Sequence, residues 1–472
     1  MIFKNKKNTL FLILIFLISF FFRFYKTNTY PTLLLNEATI GYNAYSLLET
    51  GFENYKPELY VYLTIPFIKI FGLNTIATRL PSILLGSFLP ILLYFLIKEI
   101  NQKAHKTAII AAIIATINPY LIHFSRGAWE TNVLTFELVL ASYLFFKYIN
   151  KKLPRYLFLS ILVFGLTFFT YQDVLTTSLF SYSRSSEEIQ TITNETNQID
   201  YQLFYNQPMF FLRNFLSRYF NYFSPRFLTF EGDWQNPLYS TPYFGVLLYP
   251  SLIFLFIGIF FAFTRNKKEN INYFFLFWLL VSPIPSALTR DSIQSAKTMS
   301  LSIPLIYFTA LGIYAFFQKF NSKILKTLII FSYLISFIYY GDLYLNHMVQ
   351  KNPIDFLYGY KQAITYLIKN QNRFQKIYMT DYYSQPDIYY LFYSQYSPSL
   401  YQQQANSKIK TIDNIYFETV QYNFIKDRPN TMSIFSQEEI YRQGIDKTDD
   451  FKNFIPLSPI GNISSFYAYE NP

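Results

Sequence analysis

Two polar residues, Asn36 and Glu37, stand side by side in "TLLLNEATIGYNAYSLL", between an apolar segment and an aromatic run with helix-like spacing. A carboxylate can take a proton from an attacking hydroxyl, whereas an amide cannot at physiological pH. A carboxylate at a helix start is also favoured by the helix dipole alone, so Glu37 has a structural reading beside the chemical one. Other charges cluster with the pair in sequence neighbourhoods of similar character. Lys56 lies in "NYKPELYVYL", Arg126, Trp129 and Glu130 lie in "SRGAWE", and Arg290, Asp291 and Lys297 lie in "TRDSIQSAKT". A lysine or arginine can hold a phosphate as a charge or as a planar fork, or can anchor at a membrane interface; Trp is prone to the same anchoring. Asp173 and Asp233 are further carboxylates outside the apolar runs and read more readily as loop residues.

Composition decides what must position these residues. Of 472 residues, 51% are hydrophobic, 21% aromatic and only 15% charged, which is too apolar for an ordinary soluble chain. The mean hydropathy of +0.15 requires a more polar portion as well. With no cysteine and three histidines, disulfides and Cys-ligated metal sites are excluded. The sequence requires no cofactor; a carboxylate pair could hold a divalent cation.

Apolar runs of bilayer-spanning length fall at 8–24, 80–97, 107–122, 132–148, 156–172, 245–264, 272–288, 299–317 and 324–341, about nine spans. The loops "MIFKNKKN", "KEINQKAHK", "KYINKKLPR", "TRNKKEN" and "QKFNSKILK" each carry at least three lysines or arginines and fall on one side of such a bundle. The positive-inside rule makes that side cytoplasmic, with the amino terminus inside and the carboxyl-terminal portion outside the cytoplasm. The first run ends in "FFRFYK" without a small-residue cleavage site, which reads as an uncleaved anchor. The net charge of +11 is then topological, and nucleic acid is not a partner. Glu137 is the chief ionisable residue inside a run, too little to mark a transport path.

Every candidate residue above falls on the outer side or at its span ends. The expected organisation is an α-helical polytopic membrane domain over 1–344 with outer loops 25–79 and 173–244, followed by an extracytoplasmic α/β domain over 345–472. In the latter, "DFLYGYKQAITYLIKN" and "QPDIYYLFYSQY" have helical spacing, "KIYMTD" reads as a buried strand, and "NTMSIFSQEEIYRQ" reads as strand then helix. It shows no phosphate-binding glycine loop and no Ser/His/Asp constellation.

The stretches "LLLNEATIGYNAYSLL", "NYKPELYVYLTIPFIKIFGLNTIATRLPSILLG", "NPYLIHFSRGAWETNV", "YFSPRFLTFEGDW" and "SPIPSALTRDSIQSAKT" resemble GT-C type membrane glycosyltransferases of glycosyltransferase family 39. That family includes the protein O-mannosyltransferases and the aminoarabinose transferase of lipid A. The resemblance covers roughly residues 8–320 and implies sugar transfer from a polyprenyl-phosphate donor to a glycan, lipid or protein acceptor on the outer face of the cell membrane. It further implies that Glu37, with Asn36 where the family has Asp, is the catalytic pair. Lys56, Tyr42, Arg126, Trp129, Glu130, Arg290, Asp291 and Lys297 then line the donor and acceptor pocket. The chain departs from the family in that "ETGFENYKP" and "FTYQDVLTTSLFS" join motifs that relatives separate by more residues. A catalytically impaired, noncatalytic protein that binds lipid-linked glycan or serves as an assembly module is the alternative reading.

Overall fold

The computed structural model describes residues 6–52, 58–170, 186–195, 198–264, 269–289, 291–383, 385–404, 411–445, 450–452 and 466–472. The chain is mainly helical. In order come α1 (Lys6–Phe24), α2 (Leu35–Thr50), α3 (Leu59–Phe71), α4 (Thr75–Ile100), α5 (His105–Ile117), α6 (Pro119–Ser125), α7 (Glu130–Lys151) and α8 (Pro154–Thr170). There follow α9 (Ser186–Glu195), α10 (Gln198–Phe204), α11 (Gln207–Asn221), α12 (Tyr249–Thr264), α13 (Asn270–Val281), α14 (Ile284–Ala287), α15 (Ser302–Lys319) and α16 (Lys323–Asp342). The chain separates into two compact units. One comprises 1–24, 82–125 and 129–344; the other comprises 25–81, 126–128 and 345–472.

The first unit is built for a bilayer. Among the described residues five helical stretches are long and apolar enough to cross one, and the bent pair α5 and α6 makes a sixth. Helices α8 and α12, at 17 and 16 residues, span about 25 Å at 1.5 Å per residue, just short of a hydrocarbon core of about 30 Å. The faces of α1, α8 and α16 expose Leu14, Leu17, Phe158, Ile161, Phe168, Leu328, Ile335 and Ile338, as lipid contact requires. The expected span at 272–288 is not one helix: α13 stops after 12 residues, ahead of Pro283 and Pro285, and a single turn, α14, follows. Prolines supply no backbone donor to continue the ladder.

The expected run at 107–122 is likewise broken, by 53° between α5 and α6. The cause is local. Asn118 precedes a proline and adopts an extended conformation, Pro119 opens α6 where its missing N–H costs nothing, and the Asn118 side chain accepts from the Leu121 N–H at 3.0 Å. The carbonyls that the break frees on α5 meet buried Arg23, whose Nη1 reaches Thr116 O at 3.4 Å and Nη2 reaches Ala115 O at 3.5 Å. A cation at a helix carboxyl end is favoured by the dipole as well. Helices α12 and α15 touch backbone to backbone through two glycines: a Cβ on Gly258 would lie 1.8 Å from Phe308 O, and one on Gly312 would lie 1.9 Å from Phe254 O.

The second unit gathers the first loop and the carboxyl-terminal residues. It contains α2, α3, the first turns of α4, and α17 (Met348–Lys351), α18 (Tyr360–Asn370), α19 (Pro386–Ser394), α20 (Pro398–Gln404), α21 (Tyr422–Lys426) and α22 (Gln437–Arg442). Its strands are β1 (Lys376–Met379), β2 (Thr411–Ile412), β3 (Ile415–Phe417), β4 (Thr431–Ser436), β5 (Phe451–Lys452) and β6 (Phe466–Asn471), in the order β2-β3-β1-β4-β6-β5. The centre, β3-β1-β4, is parallel and the flanks are antiparallel. Burial on both faces suits the near-continuous apolar character of "KIYM" and "TMSIFS". The switch from β4 to α22 is a reciprocal cap: Ser436 Oγ accepts from the Glu439 N–H and Glu439 accepts from the Ser436 N–H, as "SQEE" dictates. The three helices and two strands read from the carboxyl-terminal sequence are present as α18, α19, α22, β1 and β4.

Helix α2 lies deep in this unit. A Cβ on Gly41 would meet the Phe392 ring of α19 and Thr78 Oγ1 at 2.6 Å, so only glycine lets α2 approach both.

The α12 and α15 contact gives a direct test. Gly312→Ala forces the two backbones apart and is expected to cost about 1–3 kcal/mol, the range for overpacking, read as a lower thermal-unfolding midpoint in detergent. Gly165→Ala, where a Cβ meets nothing within 4 Å, should leave the midpoint unchanged or raise it.

Candidate active site

The first-loop pair divides between two environments. Asn36 is exposed, whereas Glu37 is 3% exposed. Consecutive helix residues point about 100° apart, so near the start of α2 one faces out and the other in. Glu37 meets Arg79, which is fully buried in the second turn of α4. Arg79 Nε donates to Glu37 Oε1 at 2.8 Å and Nη2 donates to Oε2 at 2.5 Å. Glu37 Oε1 also accepts from the Ala128 N–H at 2.7 Å, and Oε2 from the Leu34 N–H at 3.0 Å. The remaining guanidinium protons go to Thr27 O, Pro31 O and Thr32 O at 2.7, 3.0 and 2.9 Å.

This accounts for all five donors of Arg79 and gives each carboxylate oxygen two donors. A buried ion pair recovers its desolvation cost only when its remaining hydrogen-bonding capacity is met in this way. Its geometric effect is to tie four chain segments together: 27–34, the start of α2, α4 and 126–128. Glu37, the expected base, therefore has no open lone pair in this arrangement.

Arg126 is buried beside the same assembly and donates through Nη2 to Tyr30 O at 3.1 Å. Tyr42, expected in a substrate pocket, is fully buried; its hydroxyl donates to Tyr396 O at 3.0 Å and its ring meets Tyr401 edge-on. Burial pushes the Tyr42 hydroxyl well above the usual phenol range, so it acts as a neutral donor. Of the candidates, the second unit thus brings together Glu37, Arg126 and Tyr42 as interior residues, with Asn36 on the surface.

The first unit holds the others. Trp129 and Glu130 are partly buried at the start of α7, and Trp129 packs edge-on against Phe124 and Tyr239, each at 5.5 Å. Asp291 is partly exposed, with its carboxylate 3.9 Å from the buried Lys297 ammonium. Asp233 is buried and is a loop clamp, as its reading as a loop residue implies. Its Oδ1 accepts from the N–H groups of Gln235 and Asn236, and Oδ2 accepts from the Ser295 N–H at 2.7 Å. Burial raises the Asp233 carboxyl above its ordinary value, and the N–H donors counter part of that shift. Lys56, Arg290 and Asp173 lie outside the described residues, as do residues 53–57 and 171–181 of the two joins where the chain departs from its relatives. Among the described residues no group of three or more His, Asp or Glu side chains gathers to hold a metal ion.

The residue that sequence reasoning passed over is Arg79. Its signal was present: an arginine in "TRLPS", at the lip of an apolar run, needs a partner. Which carboxylate it meets, 42 residues away, was not written locally.

Residues 55–179 match the dolichyl-phosphate-mannose-protein mannosyltransferase family. No curated protein matches the sequence. The structure is similar to ArnT from Cupriavidus metallidurans in the apo state, with a TM-score of 0.53 at 10% identity over 98% of this chain and 97% of that one. The same protein bound to undecaprenyl phosphate gives 0.53 at 10% identity over 98% of each chain. The oligosaccharyltransferase of Archaeoglobus fulgidus in the apo form is similar at 12% identity with a TM-score of 0.48, over 92% of this chain and 70% of that one. The fold is the GT-C fold of the ArnT type.

The Glu37 and Arg79 pair makes a prediction that separates structure from chemistry. Glu37→Gln or Arg79→Met alone leaves a buried charge or its donors unmatched and is expected to destabilise by about 3–5 kcal/mol. The double variant removes both charges and should recover part of that loss, so a double-mutant cycle on thermal unfolding is expected to show strong coupling.

Proposed function

We propose that this chain, a multi-pass GT-C-type glycosyltransferase of the protein mannosyltransferase and ArnT kind, moves a sugar from a polyprenyl-phosphate donor to an acceptor at the membrane surface. The working face is the one opposite the lysine-rich loops, which the charge pattern makes extracytoplasmic, in the plasma or inner membrane. The observation that carries the reading is the first loop itself. Its helix α2 is pinned by a fully satisfied buried ion pair, and it presents Asn36 where the resemblance has an acidic residue. The solved complex of ArnT with undecaprenyl phosphate supports a polyprenyl-phosphate carrier.

In the transfer, the acceptor oxygen bonds to the anomeric carbon as the bond from that carbon to the phosphate oxygen breaks. The electron pair stays on the departing polyprenyl phosphate. The acceptor's proton needs a base, and Asn36 is not one. We assign Glu37 to positioning, because both its oxygens are engaged. A departing phosphate monoester has a second pKa of about 6, so its oxygen can take that proton near neutral pH. Asn36 then orients the acceptor hydroxyl through its amide oxygen. Lys56 and Arg126 are the proposed cations for the donor phosphate, where charge builds as the bond breaks.

A second reading rests on the same exposed amide: the chain is a catalytically impaired copy that binds lipid-linked glycan. The two separate in proteoliposomes supplied with radiolabelled polyprenyl-phosphate sugars. The native chain is expected to transfer label, and Asn36→Asp to raise the rate by about 10²-fold or more by restoring a positioned base. Transfer by Asn36→Asp alone would support the impaired copy, and transfer by neither would overturn the enzymatic reading.

A further inference from the structure

The second unit contains a cleft of about 320 Å³ that none of the chemistry above uses. It lies against Thr32 and Leu33, which lead directly into the pinned start of α2, and against the turn and first residues of α18. One wall is a row of three tyrosine rings. Tyr360 stacks on Tyr389 at 4.6 Å and Tyr389 lies near-parallel to Tyr393 at 6.3 Å. The Tyr389 hydroxyl donates to Leu33 O at 3.1 Å, which fixes the row to the first loop. Tyr360 and Tyr389 are buried, whereas Tyr393 and Tyr358 are partly exposed and line the cleft.

The rest of the lining, Lys361 apart, is neutral and rich in hydrogen-bonding groups, Asn28, Gln362 and threonines among them. It contains no carboxylate, and Lys361 is the one charged residue among the described lining residues. An acyl chain would call for aliphatic walls, and only Leu33 and Leu357 supply them. A free phosphate or pyrophosphate would call for several cations. Aromatic surface beside neutral amides and hydroxyls instead fits a ring that has apolar C–H faces and hydroxyl edges. The volume, at the lower end for small-molecule sites, holds roughly one or two such rings.

We propose that this cleft is a saccharide-binding subsite that holds the acceptor, which makes the acceptor a glycan or a glycan-bearing molecule. The inference rests on the transferase reading for the word acceptor, but not for the binding itself. Tyr358 and Tyr393 are the stacking surfaces, and the neutral polar side chains read the hydroxyls. Lys361 accommodates an anionic substituent.

The test uses the full chain in lipid nanodiscs, which avoids sugar-headed detergents. Saturation-transfer NMR is run with mannobiose, lactose, N,N′-diacetylchitobiose and a glucuronyl disaccharide as probes. At least one is expected to receive saturation, with the signal falling about five- to tenfold in Tyr393→Ala and in Tyr358→Ala, in line with loss of one aromatic contact. Tyr358 lies in a turn, so an unchanged unfolding midpoint in that variant shows that the loss comes from binding rather than folding. No saturation of any probe, or saturation that survives both substitutions, overturns the subsite. Release of sugar from the donor into water is measured in parallel without acceptor. Donor turnover without cleft-dependent binding refutes the subsite and leaves the transferase reading standing; cleft-dependent binding with an inert donor does the reverse.

Discussion

One buried ion pair sets what the loop region can be. Bringing Glu37 and Arg79 out of water costs several kcal/mol per ion even after relaxation. The structure meets that cost by satisfying every donor and acceptor of the pair, four bonds on the carboxylate and five on the guanidinium. Lysine could not replace Arg79, because an ammonium has three donors and no planar fork with which to reach Glu37 and three carbonyls at once. Most of these bonds end on backbone atoms, Thr27, Pro31, Thr32, Leu34 and Ala128. The pair therefore fixes the path of the chain rather than the pose of a few side chains. Ala38, Ile40, Tyr42 and Ala44 bury the body of α2, and the ion pair holds the non-helical segment that leads into it.

The membrane unit solves the same problem at its own weak point. Breaking a span at Asn118 leaves carbonyls without intrahelical partners in a setting where water is scarce. Arg23 reaches Ala115 O and Thr116 O, and Asn118 supplies its side chain to Leu121 N and to Val246 O. In both units an arginine is spent on backbone oxygens, and the irregular segment it holds is one that a regular helix could not provide. The contact of α12 with α15 works by the opposite means. Gly258 and Gly312 offer no side chain at all, so dispersion between close backbones replaces polar matching.

These differences explain what could be read from the sequence. Apolar runs announce helices because every spanning residue obeys one rule, and the lysine-rich loops announce a common side for them. Of the carboxyl-terminal elements, β1, β4, α18, α19 and α22 were legible because "KIYM", "PDIYYLF" and "SQEE" carry their own periodicity and caps, whereas the short strands β2, β3 and β5 and the last strand β6 were not read. The break at Asn118 was written in the dipeptide Asn-Pro but hidden inside an apolar run, and the end of α13 was hidden likewise ahead of two prolines. Partners across long separations had no local trace. Nothing in "SRGAWE" says that the Ala128 N–H will donate to Glu37, nor does "DIYYLFY" say that its tyrosines will line a cleft beside Thr32.

The opening pair shows how two neighbours in sequence answer to different physical constraints. Asn36 and Glu37 are neighbours in sequence but point in different directions from α2, so they carry separate duties. Glu37 is bound into the interior, where losing its charge strands Arg79 and loosens four segments. Asn36 has no such burden, and an amide in its exposed position is nearly isosteric with a carboxylate. Exchange of one for the other changes the inventory of bases at the surface while leaving the packing beneath it untouched. The fold thus constrains Glu37 and places no such constraint on Asn36, so under the proposed function the consequence of the amide is read from proton transfer rather than from stability.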